Sequence, residues 1–181
     1  MNPDYQMFTE NPVILTLKIN AEAAAYFTDL RKQNFPSERN YLDAHLTLFH
    51  HLPGDQQSVF DMIKTVCSHQ KPMLLQVTQV VSIGAGVAFK LECDDLKKLH
   101  KNMQQQFQQW LKPQDKQALW PHITIQNKVD RQVAVELKEK LSLDFKPFEI
   151  EGLGLSVWEY LNGPWNLLET IDFMPVKEAS A

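Results

Sequence analysis

Positive charge is scarce in this chain. Its 181 residues carry 18 Lys and Arg against 22 Asp and Glu, which gives a formal net charge of −4 at pH 7. Proteins that grip long nucleic acids through the phosphate backbone usually present a basic surface, and this sequence has no Lys/Arg cluster. The composition therefore argues against binding to long duplex nucleic acid. A short RNA end or a small nucleotide stays compatible with it.

Cysteine and long apolar runs are scarce too. The two cysteines, Cys67 and Cys93, form no CxxC pair, which favours isolated reduced thiols over a disulfide framework. Residues 1–5 contain no basic segment followed by an apolar run, so no signal peptide is expected. No apolar stretch has the length needed to cross a bilayer. We therefore expect a cytoplasmic protein that does not contact membranes.

The predicted elements repeat once along the chain. A strand, a helix, a Pro-containing loop, a second strand and a second helix are predicted over 13–66 and again over 87–141. Asp94 or Asp95 is expected to cap the first helix of the second copy. Three strands are predicted afterwards, over 145–150, 155–161 and 165–173. A chain of this length is expected to form one domain over 1–181, built from two similar α+β lobes that face each other across a cleft.

Each copy contains a His-apolar-Thr-apolar segment in its second predicted strand, at 45–48 and at 122–125. Residues two apart on a strand point to the same face. His45 and Thr47 should therefore share one side of their strand, and His122 and Thr124 one side of theirs. A single such segment carries little information, but two copies in matched contexts predict two imidazoles and two hydroxyls around one cleft.

This set of groups suits the cleavage of a phosphodiester without a metal ion. A neutral imidazole can take a proton from the attacking water or hydroxyl, and an imidazolium can give a proton to the leaving oxygen. Threonine hydroxyls can donate hydrogen bonds to the phosphate oxygens, where negative charge grows. We predict His45 and His122 as the acid/base pair and Thr47 and Thr124 as phosphate ligands.

Two aromatic residues are further candidates for substrate binding. Strand alternation places Phe49 on the face of His45 and Thr47, where its ring could stack on a base. Tyr160 shares a predicted strand face with Trp158 and could act in the same way, although either aromatic could equally belong to the core.

The remaining histidines give no metal site. Alternation puts His51, rather than His50, in phase with His45, and surface positions are expected for both. His100 is expected on a solvated helix face. No pair has the spacing of a known zinc site, and 83–86 read as a hairpin turn rather than a dinucleotide loop. We expect neither a metal nor a cofactor.

The segments 43–49 and 120–125 and the predicted hairpin at 158–165 resemble those of the 2H phosphoesterase superfamily, which includes RNA 2′,3′-cyclic phosphodiesterases and 2′-5′ RNA ligase-like proteins. The resemblance extends over nearly the whole chain. It implies a bilobal α+β fold with antiparallel sheets lining a central cleft, and helices outside them. It also implies that His45 and His122 catalyse and that Thr47 and Thr124 bind phosphate. Better-known members often place several basic residues around the cleft. In this sequence Arg39, shortly before the first motif, is the basic residue noted near it.

The sequence thus predicts a monomeric, metal-independent phosphoesterase that hydrolyses a nucleotide-type phosphodiester, with a 2′,3′-cyclic phosphate as the first candidate substrate. Two alternatives remain open from the residues. One is a non-catalytic module that binds nucleotides or RNA ends in the same cleft. The other is a 2′-5′ RNA ligase-like transferase that uses the same groups.

Overall fold

The computed structural model of the protein describes residues 9–174, so residues 1–5, on which the expected compartment partly depends, lie outside it. The elements are β1 Val13–Ile19, α1 Ala21–Asn34, β2 Leu46–Leu52, α2 Gln57–His69, β3 Met73–Ser82, β4 Val87–Glu92, α3 Asp94–Gln106, β5 His122–Gln126, α4 Arg131–Leu143, β6 Phe148–Tyr160 and β7 Trp165–Asp172, with a short 3-10 turn at Ser37–Arg39. The order strand-helix-strand-helix occurs twice, as predicted. Within 9–174, no helix is long and apolar enough to cross a membrane.

All strands join one curled, antiparallel, seven-stranded sheet in the order β2-β1-β6-β3-β4-β5, with β7 paired to β6. The first lobe contains β2, β1, the second half of β6 and β7, and the other lobe contains the first half of β6, β3, β4 and β5. Helices cover the outer face, and the apolar residues of both motif segments, such as Leu48 and Ile125, are buried there in a single core. The predicted bilobal α+β architecture is confirmed, with the lobes sharing one sheet.

Strand β6 is longer than the sequence predicts. Instead of two strands, a single strand of 13 residues runs through both lobes. Its two interior glycines do not interrupt it but allow other chain segments to approach closely. A Cβ atom at Gly154 would lie 2.4 Å from the carbonyl oxygen of Ile171 on β7, and one at Gly152 would lie 3.1 Å from the side chain of Leu75 on β3. The backbone of β7 therefore requires glycine at Gly154, whereas Gly152 leaves room for neighbouring side chains, and neither glycine forms a turn.

Strand β2 contains two irregularities in its pairing with β1. Thr16 lies opposite Thr47, but Leu15 lies opposite Phe49, so β2 carries one extra residue in this interval. Such a bulge shifts the alternation of the residues that follow it. Phe49 consequently turns toward the core, where its ring is fully buried. The prediction that Phe49 shares the face of His45 and Thr47 is wrong for this reason.

The first turn of α3 also differs from expectation. The N-cap is Cys93 rather than Asp94 or Asp95, and its thiol sulfur accepts the backbone N–H of Leu96 at 3.4 Å. Both aspartates instead lie in the first helical turn, where their negative charges interact favourably with the positive end of the helix dipole. Cys93 is half-buried and Cys67 is buried, and both are free thiols.

Candidate active site

The two motif segments lie on the two edge strands of the curled sheet. These strands, β2 and β5, are at opposite ends of the strand order, yet the curl of the sheet brings them into contact. Thr47 on β2 and His122 and Thr124 on β5 are half-buried, as is His45 immediately before β2, whereas the apolar residues between them are fully buried. The four polar side chains therefore face away from the core, toward the seam between the lobes.

Both histidine rings are held in the same way. The Nδ1 atom of His45 lies 2.8 Å from the carbonyl oxygen of Asp43, and the Nδ1 atom of His122 lies 2.8 Å from the carbonyl oxygen of Trp120. A carbonyl can only accept, so in each ring Nδ1 carries the hydrogen and donates it. In the neutral tautomer Nε2 is then the proton acceptor. The bond to the backbone thus orients each ring and leaves Nε2 for chemistry.

Each of these rings also lies against a tryptophan. The ring centroids of His45 and Trp165 are 4.7 Å apart, at an interplanar angle of 48°. Those of His122 and Trp120 are 4.4 Å apart, at 28°. Trp120 comes from the loop before β5, whereas Trp165 begins β7 in the terminal hairpin. The indoles restrict ring motion and displace water from one side of each imidazole.

Loss of hydration lowers the pKa of both histidines. Burial, together with smaller contributions from the charges of Arg31, His122 and His50, lowers the pKa of His45 to about 4 although its bond to Asp43 acts in the opposite direction. The pKa of His122 is also lowered by burial, against the effect of its bond to Trp120. Both imidazoles are therefore neutral at pH 7 in the free protein.

A row of hydroxyl residues crosses the first lobe from Thr47. Thr47 pairs with Thr16 on β1, Thr16 with Ser156 on β6, and Ser156 with Thr170 on β7. Cross-strand partners share a face, so the row lies on the cleft side of the sheet. Trp158 donates its indole N–H to the Thr16 hydroxyl at 2.9 Å. This contact fixes Trp158 above the row and beside the His45 side of the cleft.

A buried arginine links the two lobes behind the site. Arg31 on α1 is 6% exposed. Its Nη1 donates to the carbonyl of Thr124 at 2.9 Å, and its Nε donates to Asn40 Oδ1 at 2.8 Å and to the carbonyl of Leu42 at 3.1 Å. Arg31 thereby connects the loop before the first motif to the strand of the second. Burial lowers its pKa to about 10 despite the nearby charge of Asp43, so it stays charged at neutral pH.

His100 provides the converse link. This residue of α3, in the second copy of the repeat, donates from Nε2 to the carbonyl of Leu48 on β2 at 3.0 Å. It is 3% exposed and stacks on Phe49, so the expectation of a solvated His100 is wrong. Within residues 9–174, each motif strand is an edge strand whose outer carbonyls have no neighbouring strand to bond. A side chain from the opposite copy satisfies one of them in each case.

A groove of about 380 Å³ adjoins His45. It is lined by Lys32, Asn40, Tyr41, Leu42, Asp43, Ala44, His45, Trp158 and Trp165. Its walls combine two indoles, a phenol and the polar loop before the first motif, which is a surface suited to a flat aromatic ring. A larger hollow, of about 570 Å³, lies between α1 and the start of β6 and is lined by none of the histidines.

The structure sorts the predicted site residues as follows. Both histidines and both threonines lie at the seam, whereas Phe49 lies in the core. Tyr160 is half-buried opposite Trp165 and shares the face of Trp158, but it is outside the lining of the groove. Trp165 in the groove was not singled out from the sequence. Its place in a predicted hairpin opposite Tyr160 was the available signal, since cross-strand partners share a face.

The sequence also did not identify the arginine that lies behind the site. Arg39, the arginine that the sequence places nearest to the first motif, is exposed on the 3-10 turn, whereas Arg31 reaches the site from inside. Its position on a helix gave no sign of this, because only the packing of α1 on β5 brings the two together. Within residues 9–174, no group of three or more His, Cys, Asp and Glu side chains is placed to hold a metal ion.

An antiparallel half-barrel with a His-x-Thr segment on each of its two converging edge strands defines the class of the protein, and sequence comparison gives the family. The profile of the 2'-5' RNA ligase superfamily matches residues 19–164. The chain therefore belongs to this superfamily, the 2H phosphoesterases, and the resemblance inferred from the motifs is confirmed. No curated protein sequence matches the chain.

Solved structures share the fold at low sequence identity. The protein TT0787 of Thermus thermophilus superposes with a TM-score of 0.62 at 13% identity, covering 90% of this chain and 97% of that one. LigT of E. coli in complex with 3'-AMP superposes with a TM-score of 0.57 at 14% identity, covering 90% and 98%. A crystal structure named only as a phosphoesterase gives 0.58 at 14% identity, covering 91% and 99%. At these identities the likeness concerns the fold.

Proposed function

We propose that this protein is a metal-independent phosphodiesterase that opens nucleoside 2′,3′-cyclic phosphates, with His45 and His122 as its acid/base pair. The observation that carries the proposal is the matched setting of the two rings. Each donates Nδ1–H to a backbone carbonyl, lies against an indole and leaves Nε2 toward the seam. Two imidazoles held in one tautomer on facing strands suit proton transfer on both sides of a phosphorus atom.

The proposed reaction has one water molecule as nucleophile. One Nε2 takes a proton from the water as its oxygen bonds to phosphorus. The bond from phosphorus to one ribose oxygen breaks, and the Nε2–H of the other imidazole protonates that oxygen. The product is a nucleoside phosphomonoester, and the two histidines have exchanged protonation states. The hydroxyls of Thr47 and Thr124 donate to the non-bridging oxygens as charge accumulates on them.

We assign the base to His45 and the acid to His122. With a pKa of about 4, His45 is neutral throughout the physiological range, as a base must be before it acts. The acid must be protonated before the reaction, and a bound phosphate anion favours the imidazolium form of a nearby histidine. His122 stacks on Trp120, a residue that is 45% exposed, so we expect His122 to exchange protons with solvent more readily than His45.

Nucleotide recognition is assigned to the groove beside His45. We propose that a base stacks against the aromatic side chains that line this groove, those of Trp158, Trp165 and Tyr41, and that Tyr160 supports Trp165 from the neighbouring strand. Structures of E. coli LigT with 3'-AMP, ATP and phosphate support nucleotides as the class of ligand. The superfamily contains ligases as well as phosphoesterases, and hydrolysis is proposed here because two histidines and water complete the reaction.

The test uses EDTA-treated protein and the four nucleoside 2′,3′-cyclic monophosphates. His45→Ala and His122→Ala should each lower kcat by about a hundredfold to ten-thousandfold, while Thr47→Ala and Thr124→Ala should cost less. The pH profile of kcat/KM should be bell-shaped, and His45→Ala should remove its acidic limb. His69→Ala, on an exposed part of α2, is the control. Unchanged rates in either site variant would refute the acid/base assignment.

The same experiment separates the proposal from its alternatives. A nucleotide-binding module would bind the cyclic nucleotides without turnover, and its histidine variants would change affinity alone. A 2′-5′ ligase-like transferase would join a 2′,3′-cyclic end to a 5′-hydroxyl when both oligonucleotides are present, at the expense of hydrolysis. Analysis of the products distinguishes the three outcomes directly.

A further inference from the structure

The bulged part of β2 brings one more histidine to the cleft side of the sheet. Phe49 lies opposite Leu15 and faces the core, and the next pair in register is Val13 with Leu52. His50 and His51 therefore stand together opposite Ile14, and both are exposed. Because His50 directly follows core-facing Phe49, its side chain returns to the face of Thr47. Simple alternation from the sequence assigns this face to His51 instead.

A buried carboxylate holds His50 in place. Oδ1 of Asp115 accepts the backbone N–H of His50 at 2.8 Å and lies 3.0 Å from its Nδ1, and Oδ2 accepts the backbone N–H of His51 at 3.0 Å. The side chain of Asp115 is 1% exposed, whereas that of His50 is 45% exposed. Asp115 thus satisfies the amides that the bulge leaves without strand partners. It also fixes the hydrogen of His50 on Nδ1, so that Nε2 is directed away from the carboxylate.

The imidazole of His50 is near the two motif histidines but too far along the strand to share their phosphate. His50 lies three positions beyond Thr47 on β2, and at about 3.3 Å per residue this corresponds to at most roughly 10 Å, because the bulge in this interval shortens the rise. That distance exceeds the span of one phosphate group and suits a neighbouring phosphate of the same nucleotide.

Among the described residues, Lys32 lines the groove beside His45, which is assigned to the base, and the other two cations near the motif histidines are engaged in contacts of their own. Arg31 is buried and directs its N–H groups at backbone carbonyls. Lys90, the cross-strand partner of His122, is bound to Glu92 at 2.8 Å. A bound phosphate anion favours the imidazolium form of a histidine, which donates from Nε2, and the contact of Nδ1 with Asp115 Oδ1 holds the ring of His50 in position for this.

We propose that His50, supported by Asp115, forms a second anion subsite that binds a phosphate group one position away from the phosphate at His45 and His122. The inference rests on the proposed function for the identity of the first phosphate. It narrows the substrate class to nucleotides that carry a second phosphate, such as a cyclic phosphate with a 5′-phosphate or the end of a short RNA.

The test compares two adenosine nucleotides that bind without turnover. Calorimetry gives Kd for adenosine 3′-monophosphate and for adenosine 3′,5′-bisphosphate with the wild type, His50→Gln and His51→Gln. The wild type should bind the bisphosphate about tenfold more tightly, as expected for a hydrogen bond to a charged group. This ratio should fall to about one in His50→Gln and should persist in His51→Gln, which keeps the backbone contact to Asp115.

Equal ratios in the wild type and His50→Gln would overturn the proposal, as would a wild type that binds neither nucleotide or both equally. If His50→Gln does not fold, the ring ¹⁵N resonances of wild-type His50 give the answer. They should shift with the bisphosphate and not with the monophosphate. Because no reaction is involved, a protein that shows the affinity ratio but opens no cyclic phosphate would refute the proposed function alone.

Discussion

Replacement of Arg31 by methionine tests whether the buried guanidinium aligns the two motif strands. Methionine keeps much of the aliphatic stem and its contact with the interior, but removes the charge and all donors. In the wild type the guanidinium carbon lies 3.9 Å from the centroid of the Phe35 ring, and three hydrogen bonds lead to Asn40, Leu42 and Thr124. The variant therefore separates one set of polar contacts from the packing around it.

The expected loss of stability follows from the groups left behind. Two backbone carbonyls, those of Leu42 and Thr124, would lose a donor in a mostly buried region, at about 1–3 kcal/mol each. Part of this is offset, because the folded protein no longer carries the cost of burying a guanidinium. We expect Arg31→Met to lower the free energy of unfolding by about 2–4 kcal/mol.

A second readout concerns the site itself. The charge of Arg31 is one of the causes, after burial, that lower the pKa of His45, so its removal should raise that pKa, as measured by NMR titration of the ring. A displaced motif loop should also reduce kcat, by up to about a hundredfold for a shift near 1 Å. Arg39→Met, at an exposed arginine on the 3-10 turn, is the matched control.

Urea denaturation at constant m-value gives the stability change. A loss below about 1 kcal/mol, together with an unmoved pKa of His45, would show that Arg31 is not a link between the lobes. A large stability loss with the same pKa would place the guanidinium farther from His45 than the structure does.

Three other perturbations have defined outcomes. The pKa of His45 lies below its usual 6.5, at about 4, so protons bind the unfolded chain more tightly. Its stability contribution is complete above pH 6.5 and is lost as the pH falls toward 4, and His45→Gln should flatten this part of the pH–stability curve. Asp115→Asn should cost about 2–4 kcal/mol at pH 7, because the amide turns a donor toward a backbone N–H. Burial alone would raise the pKa of Asp115, but its bonds to His50 lower it below 3.8. The difference in the free energy of unfolding between Asp115→Asn and the wild type, measured by urea denaturation, should therefore shrink below pH 3.8. A difference that stays constant with pH would contradict the role of the carboxylate. Gly86→Ala would place a Cβ atom 2.0 Å from the carbonyl oxygen of Gln126; we expect a loss of about 1–3 kcal/mol in thermal unfolding, and a neutral effect would mean that β4 and β5 pair differently.

The sequence predicts most of the fold because strand and helix periodicities are local. The repeat of elements, the His-x-Thr segments and the burial of Leu48 and Ile125 all follow from alternation within one strand. The same rule fails after Thr47, since alternation assumes an uninterrupted ladder and β2 carries one extra residue relative to β1 between Thr47 and Phe49. The outward His50 and the inward Phe49 are two results of this single event.

The inter-lobe contacts could not be predicted for a related reason. Arg31 and His100 each lie on a helix whose own sequence gives no indication of a buried polar partner. Their acceptors are carbonyl groups, which every residue possesses, so no residue type in the sequence identifies them. The position of Trp165 could be predicted only in part. The terminal hairpin implied its pairing with Tyr160, but its contact with His45 depends on how the hairpin is placed against the first motif.

The path of β6 has a consequence for the order in which the protein can be synthesised and assembled. Residues 148–160 pair with β1, β3 and β7, yet they follow both motif segments in the chain. On the ribosome, β3, β4 and β5 can pair with one another as they emerge, but β1 and β2 have only each other until β6 arrives, and a lone two-stranded ribbon is marginally stable in water. The seam between the lobes must therefore form late, through contacts distant in sequence. A nascent chain that already contains His45 and His122 has not yet formed the cleft that brings them together, so an interrupted translation product would lack the candidate site.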